Sequence, residues 1–168
     1  CTPILLKKYY SFLCLDDIRV LWYYFSAVYY GRNQMNNYSV AILVAAHNSE
    51  KFISCQLDSL LCQSYGNISI TVSDDFSVDK TPDILKEYEN KDSRIKLIKS
   101  GVPLKSAQAN FMFLLKNAPD ADFFMFCDHD DKWAGDKVEC TLNRMISGDF
   151  HRPRLVHSDL FVTDSDFN

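Results

Sequence analysis

Three acidic residues crowd the end of a short apolar run: Asp128, Asp130 and Asp131 follow directly on Phe123-Phe124-Met125-Phe126-Cys127. The run is short and aromatic, which reads as a buried strand. Carboxylates gathered at its end repel one another in a low-dielectric setting unless a cation or a shared proton neutralises them. Oxygen-only ligands suit a hard divalent ion, Mg²⁺ or Mn²⁺, of the kind that keeps positions open for substrate phosphates. In open α/β sheets ligands bind beyond the carboxyl ends of the strands, where this cluster falls. The pattern reads as a metal–diphosphate site.

Plainer readings compete with this one. Acidic residues after a strand often form a solvated turn, and Asp131 or Asp136 can cap a helix beginning near Gly135. A calcium loop of the EF-hand type would use Asp128, Asp130 and Glu139. It fails because Lys132 takes a ligand position and Trp133 stands where that loop requires glycine.

Two further polar signals fall at predicted strand ends, Ala45-Ala46-His47-Asn48 and Asp74-Asp75. Alone, an Asp pair before a helix is a cap and a histidine there is a turn residue. Together with the acidic cluster they predict three polar loops converging on one rim of a sheet.

The elements that must position these loops alternate along the chain. Val40 to Ala45 is an almost wholly apolar strand of the kind buried on both faces of a parallel sheet. A helix is expected to open in His47-Asn48-Ser49-Glu50, capped by Asn48 or Ser49, with Phe52, Ile53, Leu57, Leu60 and Leu61 facing inward. Ile68 to Ser73 is a β-branched strand, and Thr81-Pro82-Asp83 starts a helix with proline in its first turn. Ile95 to Ile98 is a short strand and Asn110 to Leu115 part of a helix. Leu155 to Ser158 and Leu160 to Val162 predict one or two final strands. Repeated β-α-β order implies an α/β fold with a mostly parallel sheet and right-handed crossovers.

Residues 1–37 differ in character. Leu5, Leu6, Tyr9, Phe12 and Leu13 follow helical spacing, as do Ile18, Leu21, Trp22, Phe25 and Val28. This predicts a helical extension ending near Gly31, followed by a polar linker. A packing or partner-docking pair of helices is the plain reading of it, a membrane-surface helix the sharper one.

At 168 residues the chain is about one domain long. A formal net charge of −4 argues against a nucleic-acid partner held by bulk electrostatics. The six cysteines lack metal-type spacing and mostly sit in apolar contexts, which predicts reduced core thiols in a cytoplasmic protein. No apolar run of about 18 residues is present to span a bilayer. A chain that starts with Cys1 and ends at Asn168, just after a strand-like segment, reads as part of something longer.

Residues 38–168 resemble the N-terminal part of a family 2 (GT-A fold) glycosyltransferase, which transfers sugar from a nucleotide-sugar donor with inversion. Val40 to Glu50 resembles the family's opening strand and its "YN" turn, with His47-Asn48 in place of Tyr-Asn. Ser73 to Asp79 resembles the "DDxSxD" segment, with Phe76 where glycine or asparagine is commoner. Phe126 to Trp133 resembles the "DxDD" motif of bacterial rhamnosyltransferase-like members.

The resemblance implies a GT-A nucleotide-sugar-binding domain over residues 38–168, truncated at its C-terminus. It implies that Asp75 accepts from a uracil or thymine imide. The backbone of Ala45, Ala46 and His47 would edge the base and ribose, with the His47 ring as a stacking face, and Asn48 and Glu50 would belong to the same turn. Asp128 would face ribose or sugar, and Asp130 would hold Mg²⁺ or Mn²⁺ against the diphosphate. Lys105 would add positive charge there, unless it is simply a solvated loop lysine. The general base is expected beyond Asn168, so this chain should bind donor without turning it over. The implied partners are a UDP- or dTDP-sugar and a glycan or lipid-linked acceptor. The implied location is the cytoplasm, with peripheral association at the inner face of the membrane. Phosphoryl transfer and non-catalytic nucleotide-sugar binding are the rival readings, the first weakened by the lack of DxDx(T/V) at the first strand.

Overall fold

The computed structural model describes residues 38–147 and 153–159. These lie within one compact unit, Tyr38–Asn168. The helical extension expected over residues 1–37 and the strand expected at 160–162 lie outside the described residues.

Four strands form a parallel sheet in the order β3-β2-β1-β4. Strand β1 (Val40–Ala46) is central and buried along its whole length, as its unbroken apolar sequence requires of a strand covered on both faces. It pairs on one side with β2 (Ile68–Asp74), Val40 opposite Ile68 and Ala46 opposite Asp74. On the other it pairs with β4 (Phe123–Asp128), Val40 opposite Phe123 and Ala45 opposite Asp128. Strand β3 (Ile95–Ile98) extends the sheet beyond β2. All four strands point the same way, so the loops after β1, β2 and β4 emerge side by side. The predicted convergence is present.

Four helices connect and flank the strands: α1 (Ile53–Leu61), α2 (Thr81–Lys91), α3 (Ala107–Asn117) and α4 (Lys137–Ile146). Ile53, Leu57 and Leu60 of α1 join Ile42, Val44, Ile70 and Val72 in the core, together with Val138 and Leu142 of α4. Proline stands in the first turn of α2, where its missing N–H is not needed. The Ser106 hydroxyl caps α3 by accepting the Ala109 N–H.

Four sequence expectations are corrected. Neither Asn48 nor Ser49 caps α1 with its side chain; the helix starts only at Ile53. Asn48 is left-handed, with φ of 47°, and its amide oxygen is turned away to accept the Val78 N–H. The Ser49 carbonyl instead accepts the Phe52 and Ile53 N–H groups. Strand β4 is only partly buried, Phe126 being exposed, and it stands at one edge of the described sheet. Residues 155–158 form no strand. Leu155 is 74% exposed, and the preceding Arg154 guanidinium is bound to the carbonyls of Met145 and Arg144 at the end of α4. A strand needs a neighbour to pair with, and this segment is tethered to a helix end instead. Lastly, Cys62 and Cys140 are exposed, so only Cys127 among the four described cysteines is a fully buried thiol; all four are unpaired.

Candidate functional site

The loops after β1 and β2 are laced together by a dense set of hydrogen bonds. The Asp75 N–H donates to the Ala46 carbonyl at 2.9 Å, and His47 Nδ1 lies 2.7 Å from the Asp75 carbonyl. A carbonyl only accepts, so Nδ1 carries the proton; Nε2 is then free to accept the Asn48 amide N–H at 3.1 Å. The Asn48 N–H reaches the Ser77 hydroxyl, which itself donates to Asp74. The Ser49 N–H donates to the Thr81 hydroxyl at 2.8 Å. Glu50 closes the lacing: its N–H donates to Asp79 and its carboxylate accepts the Lys80 N–H at 3.0 Å, at the N-terminus of α2, where an anion is favoured.

Asp75 is the node of the rim. It is 7% exposed, and its two carboxylate oxygens accept the backbone N–H groups of Leu104 at 2.6 Å and Lys105 at 2.7 Å. The β3–α3 loop is thereby drawn against the β2 loop. Lys105 is left-handed at this anchor, with φ of 64°. Behind it, the Asn110 amide donates to the Ser73 carbonyl at 3.1 Å, fixing the start of α3 against the end of β2.

The third loop carries the acids. Burial pushes the Asp128 carboxyl up from its ordinary range, and the charges of Asp131 and Asp130 push it further. Burial also raises Asp131, with Lys137 drawing it back down. Lys137, at the start of α4, is itself lowered by burial, and its ammonium lies 4.3 Å from the centroid of the Trp133 ring. The predicted electrostatic crowding is therefore present, and one partly desolvated lysine offsets part of it. Among the described residues no three His, Cys, Asp or Glu side chains converge into a ready-made metal cage.

The structure places the predicted residues unequally. Ala45 and Ala46 are core residues at the end of β1. His47, Asn48 and Glu50 are exposed on the first loop, Asp75 sits beneath them, and Lys105 rides on the loop that Asp75 anchors. Asp128 continues β4 in register with Ala45, and Asp130 follows in the turn. Lys137 escaped the sequence reading, since a lysine at a helix start ordinarily signals a solvated face. Asp74, one of the predicted strand-end acids, and Ser77 and Asp79, quoted only for their resemblance, are braces between loops. Their density of Asp and Ser is the ordinary signature of side chains that hydrogen-bond nearby backbone.

A parallel α/β sheet with its polar loops collected beyond the strands' carboxyl ends is the architecture of a ligand-binding enzyme domain. The chain belongs to glycosyl transferase family 2, whose profile matches residues 41–151. It is 37% identical over 112 residues to the UDP-Glc:alpha-D-GlcNAc-diphosphoundecaprenol beta-1,3-glucosyltransferase WfgD of Escherichia coli, covering 67% of this chain and 43% of that protein. It is 33% identical over 106 residues to the dTDP-rhamnosyl transferase RfbG of Shigella flexneri, covering 61% and 37%. The crystal structure of S. aureus TarS 1-349 in complex with UDP superimposes with a TM-score of 0.59 at 26% identity, covering 65% of this chain and 32% of that one. The fold is thus the GT-A fold expected from the motifs. The chain spans less than half the length of these relatives.

Proposed function

We propose that residues 38–168 are the donor-binding part of an inverting glycosyltransferase that takes sugar from a UDP- or dTDP-sugar. The observation that carries this reading is the three-loop rim, with the half-buried Asp128 and Asp131 and the exposed Asp130 on one side and a braced polar wall on the other, in a chain of family 2. His47 has both ring nitrogens engaged by neighbours and remains exposed, so its face is what it offers a nucleotide base. Asp75 spends one lone pair of each oxygen on backbone amides, leaving acceptor capacity for an imide N–H. Asn48 and Glu50 hold the turn that carries His47, while the backbone of Ala45 and Ala46 forms its floor. Lys105 contributes positive charge from the facing loop.

Asp130, with Asp128 turned to the ribose or sugar, fits a Mg²⁺ or Mn²⁺ bound as such ions usually are, by one or two carboxylates plus substrate phosphates. Burial raises the Asp128 and Asp131 carboxyls, and the neighbouring acids add to it; a bound cation would relieve that second contribution. When bound, the ion supplies Lewis-acid stabilisation of the departing diphosphate, worth several kcal/mol in the transition state. None of the residues above is assigned as the general base, and a glycan or lipid-linked molecule is the acceptor. No described helix is long and apolar enough to cross a membrane. The diphosphoundecaprenol-linked acceptor in the name of WfgD is what supports placing the protein in the cytoplasm, at the inner face of the membrane.

Calorimetric titration with UDP, dTDP and ADP, with and without Mn²⁺, tests the reading. Tight pyrimidine diphosphate binding that strengthens with Mn²⁺ is expected, and Asp130→Ala should abolish the Mn²⁺-dependent part while residues 1–168 show no sugar transfer. UDP affinity indifferent to both Mn²⁺ and Asp130→Ala would overturn the site.

A further inference from the structure

The inward face of α1 and the residues just after it are unusually polar. Gln56, Ser59 and Gln63 are all buried, interleaved with the apolar Ile53, Leu57 and Leu60. Burying amides costs free energy unless every group finds a partner, so a core built for stability alone would carry hydrocarbon here. What these side chains hold is the strand and loop bearing the acids.

Gln63 is fully used. Its Nε2 donates to the Ala134 carbonyl at 2.8 Å and the Ser59 carbonyl at 3.0 Å, and its Oε1 accepts the Val138 N–H at 3.0 Å. Those partners fix the amide's orientation. The Ser59 hydroxyl accepts the Trp133 N–H at 3.1 Å and donates to the Gln56 carbonyl. The Ser64 N–H reaches the Gly135 carbonyl at 2.7 Å. On the other side of the acids, the Gln56 Nε2 donates to Cys127 Sγ at 2.7 Å. Residue 127 and residues 133–138 are therefore fastened to one helix and its exit, and Asp128-His129-Asp130-Asp131-Lys132 spans the interval between the fastenings.

We propose that Gln63, with Ser59, is a positioning residue: it sets the spacing of Asp128 and Asp130 by clamping the backbone C-terminal to them. This rests on reading Asp130 as the cation ligand. Groups one step behind a metal ligand typically change metal affinity by about 10–100-fold when removed. Gln63→Met keeps volume and deletes all three bonds; Ser59→Ala deletes the Trp133 bond together with the hydroxyl's bond to the Gln56 carbonyl inside α1, and serves should Gln63→Met fail to fold. Leu60→Val lowers stability without touching the clamp and is the control.

Two measurements decide it. In metal-free protein, amide hydrogen exchange should quicken over residues 128–138 in Gln63→Met and Ser59→Ala, and not in Leu60→Val. In calorimetry, the Mn²⁺-dependent gain in UDP affinity should fall by about 10–100-fold while UDP binding without metal is unchanged. Exchange that rises evenly over the domain, an intact Mn²⁺ gain, or the same loss in Leu60→Val would each overturn the positioning role. If wild-type UDP binding ignores Mn²⁺ altogether, the cation reading of Asp130 fails by itself, and the clamp stands or falls on the exchange data.

Discussion

Asp128 and Asp75 show how differently two rim carboxylates can be used. Asp128 is raised by burial and by Asp131 and Asp130, so in the metal-free fold it holds a proton more tightly than in the unfolded chain. A group raised on folding adds stability below its unfolded value, ordinarily 3.8, and that contribution is lost as pH climbs through the raised value. The metal-free domain is therefore penalised at neutral pH. Asp128→Asn should melt at higher temperature than wild type at pH 7 in chelator, with the gain vanishing below about pH 4; an equal gain at both pH values would contradict this account. Asp75 is used as a brace, each of its oxygens accepting a backbone amide N–H. Asp75→Asn turns an NH₂ group against one of those N–H donors and should cost about 1–3 kcal/mol, with faster exchange at Leu104 and Lys105 as its local mark.

At the scale of elements, the strands were legible and the ends of elements were not. An unbroken apolar run such as Val40–Ala46 admits few conformations once paired on both sides, and β1 lies where its sequence placed it. The start of α1 was misplaced because Asn48 spends its side chain on Val78, thirty positions away, and periodicity carries no information about so distant a partner. Residues 155–158 open on Leu-Val like a strand, but pairing is a property of two segments and Arg154 commits this one to α4. The site divides likewise. The acids and the polar turns announced themselves by type and position, whereas Gln56 in α1 and Gln63 just after it carry no mark in the sequence of their distant partners. The turn after β2 offers a test. Phe76 is left-handed, with φ of 55°, and 49% exposed, so it pays conformational strain for little burial. Phe76→Gly should stabilise the fold by about 1 kcal/mol, the usual penalty of this conformation for a residue with a Cβ, measured by denaturant unfolding. A loss of similar size would mean that the ring contributes packing across the rim.

For the molecule as a whole, the rim joins loops from three strands, so its ligands should act on global stability. UDP and Mn²⁺ supplied together at about 100 times their dissociation constant should raise the unfolding free energy by about 2.7 kcal/mol, and chelator should withdraw the metal's share. No change in melting temperature with both present would separate ligand binding from the folded rim. The family 2 match covers residues 41–151, and the described rim lies inside it.

The parallel pairing of β1 on both flanks carries a consequence for how the domain is assembled. Its partner β2 arrives after a single helix, whereas the β4 side closes through contacts such as Ser39 with Asp122, 83 positions apart. Closing the longer loop costs more chain entropy. On a ribosome the β1–β2 half therefore has time to organise while the acidic turn is still in the exit tunnel, and the acidic loop is added to a braced pair of loops that already exists.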